Sequence, residues 1–301
     1  MSITFRLYQC TDDFERIGNF LVANFQPGNR DGNWLRATWE YMHSHSLLDS
    51  GSLHKIGVWE DNGNIVGVAH YETCLGEVFL QVHRDYAYLK SDMLDYAEGN
   101  LYGESNDGRR FVRAYVNDFD TDFEAEVSAR GYSKDVAWTR PMSQFTIPTP
   151  FPSISLPGGF RLKSLADDCD WVKIHRVLWR GFDHEGEAPE DGIEDRKTME
   201  LVPGYRRDLK IVVESPEGDF VSFAGTWYDS VNKIAYIEPV ATDPDYRRMG
   251  LGRAAVLEGI RRCGELGATV AFVGSDQAFY KAIGFEVLFR HHCWLEYFHL
   301  F

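Results

Sequence analysis

The chain has 301 residues, the length of one large domain or two ordinary ones, and its hydrophobic content of 44% is enough for a sizeable core. The formal net charge of −15 disfavours a nucleic-acid-binding surface, which would be basic. The five scattered cysteines form no Cys-x-x-Cys pair, and the sequence has neither a signal-peptide segment nor an apolar run of membrane length. We therefore expect a cytoplasmic protein with no metal, no nucleic-acid partner and no membrane span.

Two short patterns open the two halves of the chain in the same way. Phe5-Arg6-Leu7 followed by Asp12-Asp13 recurs as Phe160-Arg161-Leu162 followed by Asp167-Asp168 at the same spacing. Each pattern predicts a short strand and then a helix capped by the acidic pair. Apolar residues at helical spacing place the two helices at about residues 12–25 and 167–179.

Later elements repeat in the same order. The turn sequence Asp61-Asn62-Gly63-Asn64 predicts a hairpin in the first half, and the segment Ser215–Asp219 predicts one in the second. A helix near the end of each half closes at Gly131 or Gly284, where glycine suits the left-handed position after a helix. The shared order of elements predicts a duplicated fold.

A proline-rich stretch separates the two halves. Five prolines lie between Pro141 and Gly159, and they favour an extended connector over a helix. We therefore predict a first domain at residues 1–146, a linker at residues 147–158 and a second domain at residues 159–301.

The most specific pattern lies in the second half. An apolar run at residues 234–242 predicts a strand, and a helical pattern ends at Leu266. Between them stands Arg247-Arg248-Met249-Gly250-Leu251-Gly252, followed by Arg253. The first N–H groups of a helix lack intrahelical partners and carry partial positive charge, and glycine lets a diphosphate approach them. We call residues 247–253 the glycine loop and predict that it binds a diphosphate.

The first half has no counterpart of the glycine loop. A gapless alignment of the two halves places Lys90 at Gly250 and Asp92 at Gly252. Both glycines are lost, and the carboxylate of Asp92 would repel a phosphate. We expect the first half to keep the shape of the second without its phosphate-binding loop.

Four features of the second half occur in a characteristic order. They are the strand at 234–242 with the glycine loop, the helix at 251–266, the strand at 269–273 and the segment Ala278–Phe285. With them the chain resembles the GCN5-related N-acetyltransferase (GNAT) family, and its tandem members in particular, because the last segment is similar to the family's Tyr-x-x-x-Gly-Phe element. The resemblance implies an α/β (α+β) protein of two tandem acyl-CoA N-acyltransferase domains, each a mixed, mostly antiparallel sheet flanked by helices. The first domain is expected to be degenerate.

The resemblance also implies acetyl-CoA as co-substrate and a site that holds it. The family's fourth and fifth strands splay apart around the pantetheine arm, and Pro239 predicts a bulge or an unpaired edge at that place. The family's usual Asn after the fifth strand is absent here, and Ser275 is a candidate to replace it. The residues expected to hold acetyl-CoA are Val240, Ala241, Thr242, Arg247, Arg248, Met249, Gly250, Leu251, Gly252, Arg253, Ser275 and Tyr280.

Two residues are candidates for proton transfer. Glu238 can take the proton of an amine, often through water, although a solvated or salt-bridged Glu is the plain alternative. Tyr280 occupies the place where the family often has a phenol that protonates the departing thiolate, and packing of its ring is the alternative.

The implied function is transfer of the acetyl group of acetyl-CoA to a primary amine of a small molecule by direct attack. A non-catalytic acyl-CoA-binding or regulatory protein is one alternative, and a mycothiol-synthase-like acetyltransferase is another. The acidic run from His184 to Asp195 is a candidate to recruit a cationic acceptor, or else a solvated loop.

Overall fold

The structure is a computed structural model that describes residues 3–298 of the chain. These residues form two compact units. One unit holds the described residues up to Met142 together with those from Val287 onward, and the other holds Ser143–Glu286. Within residues 3–298, none of the helices is long and apolar enough to cross a membrane.

Helices and strands alternate in both halves of the chain. The first half contains β1 (Ile3–Leu7), α1 (Cys10–Asn24), α2 (Arg36–Ser44), β2 (Gly57–Asp61), β3 (Asn64–His70), β4 (Glu77–Val82), α3 (Lys90–Asn100), β5 (Gly103–Glu104), β6 (Arg110–Asn117), α4 (Thr121–Ala129) and β7 (Ser133–Thr146). The second half contains β8 (Arg161–Ser164), α5 (Trp171–Gly181), α6 (Gly192–Thr198), β9 (Lys210–Glu214), β10 (Phe220–Asp229), β11 (Ile234–Thr242), α7 (Leu251–Glu265), β12 (Val270–Val273), α8 (Ala278–Ile283) and β13 (Glu286–Phe298).

The same sheet pattern occurs in each unit. In the first, β1 to β4 pair antiparallel in turn, β4 pairs parallel with β6, and β13 pairs antiparallel with β6. In the second, β8 to β11 pair antiparallel in turn, β11 pairs parallel with β12, and the end of β7 pairs antiparallel with β12. Each unit has its own apolar core between sheet and helices. The predicted duplication of a mixed, mostly antiparallel sheet is confirmed.

The predicted turns and helix ends are also present. Asn62 and Gly63 have φ values of 51° and 79°, the left-handed pair that a tight hairpin between β2 and β3 requires. Gly131 and Gly284 follow α4 and α8 with φ values of 100° and 118°. These features depend on local sequence alone, which is why the sequence predicts them well.

The last strand belongs to a different unit from the one that its sequence position suggests. β13 lies within the predicted domain 159–301, but its residues His291–Phe298 pair with β6 of the first unit. β7 likewise runs past Met142, so that Ser143–Thr146 pairs with β12 of the second unit. The predicted boundaries 1–146, 147–158 and 159–301 divide the chain into consecutive segments, and they stay a prediction. The compact units are not divided in this way, because β13 pairs in the first unit and the end of β7 pairs in the second.

The acidic pairs do not cap the helices in the way that the sequence predicted. Asp13 lies inside the first turn of α1 and accepts a hydrogen bond from the N–H of Gln9 (2.8 Å). In the second unit Asp170 caps α5 by accepting from two N–H groups of the first turn. Asp167 instead accepts from the N–H of Ser164 (2.8 Å) and closes the turn after β8. The spacing was conserved between the halves, but the capping role was not.

A neutral histidine is buried in the first unit. The Nδ1–H of His70 donates to the carbonyl of Tyr71 (2.9 Å), because a carbonyl can only accept, and Nε2 then accepts from the amide of Gln81 (2.9 Å). Gln81 accepts in turn from the N–H of Trp34 (2.7 Å). Burial lowers the pKa of His70 to about 3.

We expect the free energy of unfolding to fall as the pH drops below about 6.5, the ordinary pKa of histidine. The folded pKa of His70 lies below the unfolded one, so the unfolded chain takes up the proton first and the loss continues toward about pH 3. Urea unfolding from about pH 7 to about pH 4 should show a shallower pH slope in His70→Asn than in the wild type. Equal slopes would contradict this assignment.

Candidate active site

The glycine loop leads from β11 into α7 through a left-handed backbone. A short turn at Pro244–Tyr246 follows the strand, and Arg248 and Gly250 then adopt φ values of 65° and 82°. Within residues 3–298, the backbone N–H groups of residues 248–253 have no hydrogen-bond acceptor. Six consecutive donors at the positive end of a helix are suited to bind an anion with several oxygens.

The two glycines of the loop have different roles. Gly250 needs its left-handed φ, and a Cβ on it would point into open space. Gly252 is buried, and a Cβ on it would lie 2.8 Å from Oγ1 of Thr242. Gly252 therefore lets the start of α7 lie against the end of β11, while Gly250 turns the loop outward.

The three arginines of the loop are not equivalent. Arg247 donates to the carbonyls of Thr242 (3.2 Å) and Gly181 (2.9 Å) and pairs with Asp183 (2.8 Å). Arg248 and Arg253 are exposed, and the described part of the chain holds no hydrogen bond or ion pair to either side chain. The guanidinium of Arg247 thus fixes the loop, and the other two remain available to phosphate.

Arg180 joins the end of α5 to the turn that precedes the glycine loop. Arg180 binds the buried carboxylate of Asp243 with two hydrogen bonds (2.6 and 3.0 Å) and also reaches Asp245 (2.7 Å). Burial by itself would raise the pKa of Asp243, but the Arg180 guanidinium and the N–H of Asp245 outweigh it and lower the pKa. The charge of Asp243 is therefore kept, and it holds α5 to the end of β11.

The strands β11 and β12 separate after a short parallel contact. They pair only from Ile234 to Tyr236, and we call the space beyond Tyr236 the strand gap. Since the N–H of Asp243 donates to Val221 on β10, strand alternation turns the backbone groups of Val240 and Thr242 toward the strand gap. The groups of Ala241, between them, face β10.

A bulge lies in β11 at the entrance to the strand gap. Between the pairs Ala224–Val240 and Thr226–Ile237, β10 has one residue and β11 has two, Glu238 and Pro239. This confirms the bulge that Pro239 predicted. The one residue opposite is Gly225, and a Cβ there would lie 2.2 Å from the carbonyl oxygen of Glu238.

The two candidate proton-transfer residues are close enough to influence one another. Tyr280, the third residue of α8, is buried. Its ring contacts those of Phe279 and Phe285 edge-on. Burial raises the pKa of Tyr280 to about 12, and the charge of Glu238 adds to the rise. Tyr280 therefore keeps its proton at neutral pH, with Glu238 half-buried nearby.

Ser275 has a structural role in the loop between β12 and α8. Its carbonyl accepts from the hydroxyl of Ser143 (2.7 Å), and its own hydroxyl oxygen accepts from the N–H of Gln277 (3.3 Å). These contacts fix the start of α8 and hence the position of Tyr280. Contact of Ser275 with acetyl-CoA stays a prediction.

Trp179 and His184 form an aromatic pair at the start of the acidic run from His184 to Asp195. The indole N–H of Trp179 donates to the carbonyl of Gly186 (3.2 Å), and its ring stacks on His184 at 4.4 Å between centroids. Recruitment of a cationic acceptor by this run stays a prediction.

The counterpart segment in the first unit has a different backbone. Residues 84–89 form a short helical turn that leads directly into α3 at Lys90, so there is no open loop. The ammonium of Lys90 pairs with Asp120. The first half therefore has this helical turn where the second half has the glycine loop, as the alignment of the two halves predicted.

Sequence reasoning missed the residues that support the site. Arg180 and Gly181 contact it from α5, and the pairing of Arg180 with Asp243 after β11 is visible only in the fold. A Cβ on Gly181 would lie 2.6 Å from that of Ala241, so close packing explains this glycine. No sequence signal pairs these residues in advance.

A family model described as the acetyltransferase (GNAT) family matches residues 171–285. This segment is therefore a domain of the GNAT acetyltransferase family. The segment contains the glycine loop, the strand gap, Glu238 and Tyr280.

One curated relative matches part of the chain. The mycothiol acetyltransferase of Saccharomonospora viridis is 26% identical over 160 residues, which cover 49% of this chain and 52% of that protein. The chain thus spans about half the length of the curated relative it matches.

Two solved structures are similar over nearly the whole chain. A GCN5-related N-acetyltransferase from Sphaerobacter thermophilus has a TM-score of 0.62 at 15% identity and covers 98% of this chain and 95% of that one. A tandem GNAT protein from the clavulanic acid biosynthesis pathway has a TM-score of 0.66 at 13% identity and covers 98% of each chain. At these identities the similarity shows the fold alone, which is that of tandem GNAT domains.

We expect Gly250→Glu to weaken the binding of CoA by roughly a hundredfold or more, about 3 kcal/mol. The added side chain would place a carboxylate in the open space before the free N–H groups, where it would repel the diphosphate. Calorimetric titration with CoA measures the loss.

Gly108→Glu is the matched control. Gly108 has a φ of 80°, and a Cβ on it also meets nothing within 4 Å, but it lies in the first unit. This variant carries the same backbone strain and should bind CoA as the wild type does. Equal affinity in the Gly250 variant would mean that CoA binds elsewhere.

Proposed function

We propose that the second unit transfers the acetyl group of acetyl-CoA to a primary amine of a small molecule by direct attack. The observation that carries this proposal is the row of free N–H groups at residues 248–253, which follows the strand that borders the gap. A diphosphate held there would direct the rest of acetyl-CoA along the strand edge formed by the backbone groups of Val240 and the N–H of Thr242. Both candidate proton-transfer residues belong to this region.

Glu238 and Tyr280 each have one role in the proposed reaction. Glu238 takes a proton from the ammonium form of the acceptor, directly or through water, and leaves a neutral amine. The amine nitrogen attacks the thioester carbonyl carbon, a C–N bond forms, and the C–S bond breaks. Tyr280 donates its proton to the departing sulfur, and the attacking nitrogen releases its surplus proton, which returns to Tyr280 through solvent. The products are an amide and CoA with a free thiol.

The protonation state of Tyr280 supports its role as the acid. Burial and the charge of Glu238 raise the pKa of Tyr280 to about 12, so the phenol is protonated at neutral pH. A phenol that keeps its proton at neutral pH can donate it to the sulfur as the C–S bond breaks, and this neutralises the leaving thiolate.

One more specific acceptor amine is a candidate. The 26% identity to the mycothiol acetyltransferase of Saccharomonospora viridis favours a mycothiol-synthase-like reaction as a second candidate function. A mycothiol precursor that lacks the acetyl group therefore belongs in the panel of amines to be tested, beside amino sugars, polyamines and amino-acid derivatives. Release of the CoA thiol measures turnover with each amine.

We expect Tyr280→Phe to lower kcat by roughly a hundredfold while the KM for acetyl-CoA is nearly unchanged. The substitution removes only the proton donor, and the ring keeps its contacts with Phe279 and Phe285. Steady-state kinetics with the best amine of the panel measures both constants.

Tyr228→Phe is the matched control in the same unit. Its hydroxyl donates to the carbonyl of Leu266 (2.6 Å), so the substitution removes a hydrogen bond outside the strand gap. This variant should keep the wild-type kcat. An unchanged kcat in Tyr280→Phe would exclude Tyr280 as the acid. Tight binding of CoA without turnover of any amine would instead favour a non-catalytic acyl-CoA-binding protein.

A further inference from the structure

A lysine is almost completely buried in the second unit. Lys210, at the start of β9, is only 1% exposed. Its Nζ donates to the carbonyl of Thr226 (3.0 Å) and lies 3.6 Å from the ring centroid of Trp227 and 4.8 Å from that of Tyr205. A buried ammonium requires partners of this kind, because water does not solvate it there. Its contact with the ring therefore restrains the position of Trp227.

Trp227 connects this lysine to the bulge in β11. Its indole N–H donates to the carbonyl oxygen of Glu238 at 2.8 Å. At the bulge, Glu238 and Pro239 face Gly225 alone, so the regular ladder between β10 and β11 is interrupted. A side chain thus supplies a hydrogen bond where the strand pairing is irregular.

The peptide group between Glu238 and Pro239 has only one hydrogen-bonding atom. Proline has no N–H, so the carbonyl of Glu238 is the only polar atom through which this peptide can be held. The rotation of the peptide sets the direction of the backbone on both sides. The bond from Trp227 therefore restrains the backbone of Glu238, from which its carboxylate extends, and the backbone that leads to Val240.

We propose that Lys210 and Trp227 are positioning residues, which act through the carbonyl of Glu238 to direct its carboxylate toward the acceptor amine. This inference rests on the proposed acetyl transfer with Glu238 as the base. Lys210 restrains Trp227, and Trp227 restrains the peptide at the bulge. Both residues act at a distance from the reacting atoms.

Trp227→Phe should lower kcat roughly tenfold to a hundredfold, because it removes the N–H donor but keeps a ring beside Lys210. The KM for acetyl-CoA should change much less than kcat, since the glycine loop is not altered. Lys210→Met should lower kcat in the same direction, and the two substitutions together should cost less than the product of their separate effects.

Trp39→Phe is the matched control for loss of a buried indole donor. Trp39, in the first unit, is fully buried and donates to the carbonyl of Phe14 (3.1 Å). It should lose stability by a similar amount in thermal unfolding and keep the wild-type kcat. A similar fall of kcat in Trp39→Phe and Trp227→Phe would overturn the positioning role, because general loss of stability would then explain both.

The decisive kinetic test repeats Trp227→Phe in the background of Glu238→Gln. If Trp227 acts through the carboxylate of Glu238, the substitution should change kcat less than twofold in that background. An equally large fall with and without the carboxylate would overturn the proposal.

Hydrogen exchange supplies a measurement that does not depend on turnover. The amide groups of residues 237–242 should exchange faster in Trp227→Phe than in the wild type, and those of the first unit should be unchanged. Unchanged exchange at residues 237–242 would overturn the positioning role even in an active enzyme. If the wild type acetylates no amine but the exchange at the bulge increases, the proposed function fails while the restraint by Trp227 is upheld.

Discussion

The separation of β11 and β12 after Tyr236 is the constraint on which the second unit depends. A continuous parallel pairing would use the backbone groups of Val240 and Thr242 within the sheet. Because the strands part, the backbone groups of Val240 and the N–H of Thr242 become available to a ligand, while the carbonyl of Thr242 accepts from Arg247. The bulge at Glu238 and Pro239 turns the chain at the same place, so in the proposed reaction one irregularity affects both the cofactor site and the acceptor site.

The duplication shows which part of this arrangement comes from the fold and which from the local sequence. In the first unit β4 and β6 also pair only briefly in parallel, at Glu77 and Val78, so a similar separation of strands is present. The segment that follows β4 forms a helical turn into α3, where the second unit has the glycine loop. The fold therefore supplies the separation of strands twice, but the two glycines supply the glycine loop once.

Sequence reasoning succeeded where the information is local. Turns, helix ends and the bulge at Pro239 follow from the backbone preferences of single residues, and the glycine loop follows from a short motif with its flanking elements. The partners of β13, the cap at Asp170 and the contacts of Arg247 depend on segments far apart in the chain. Periodicity and spacing in the sequence do not indicate such long-range pairings, so these features could be identified only from the structure.

The charges around the glycine loop explain how an acidic protein can offer a site to a polyphosphate. A net charge of −15 repels such a ligand at long range, but salt at physiological strength screens this field within about 8 Å. Close to the loop, Arg180 and Arg247 are neutralised by Asp243 and Asp183, so they stabilise the loop and contribute little net charge. The unpaired side chains of Arg248 and Arg253 and the free N–H groups of the loop then act at contact distance, where screening is weak. In the proposed site, recognition of the diphosphate therefore depends on which arginines the acidic side chains leave unpaired, and not on the total charge.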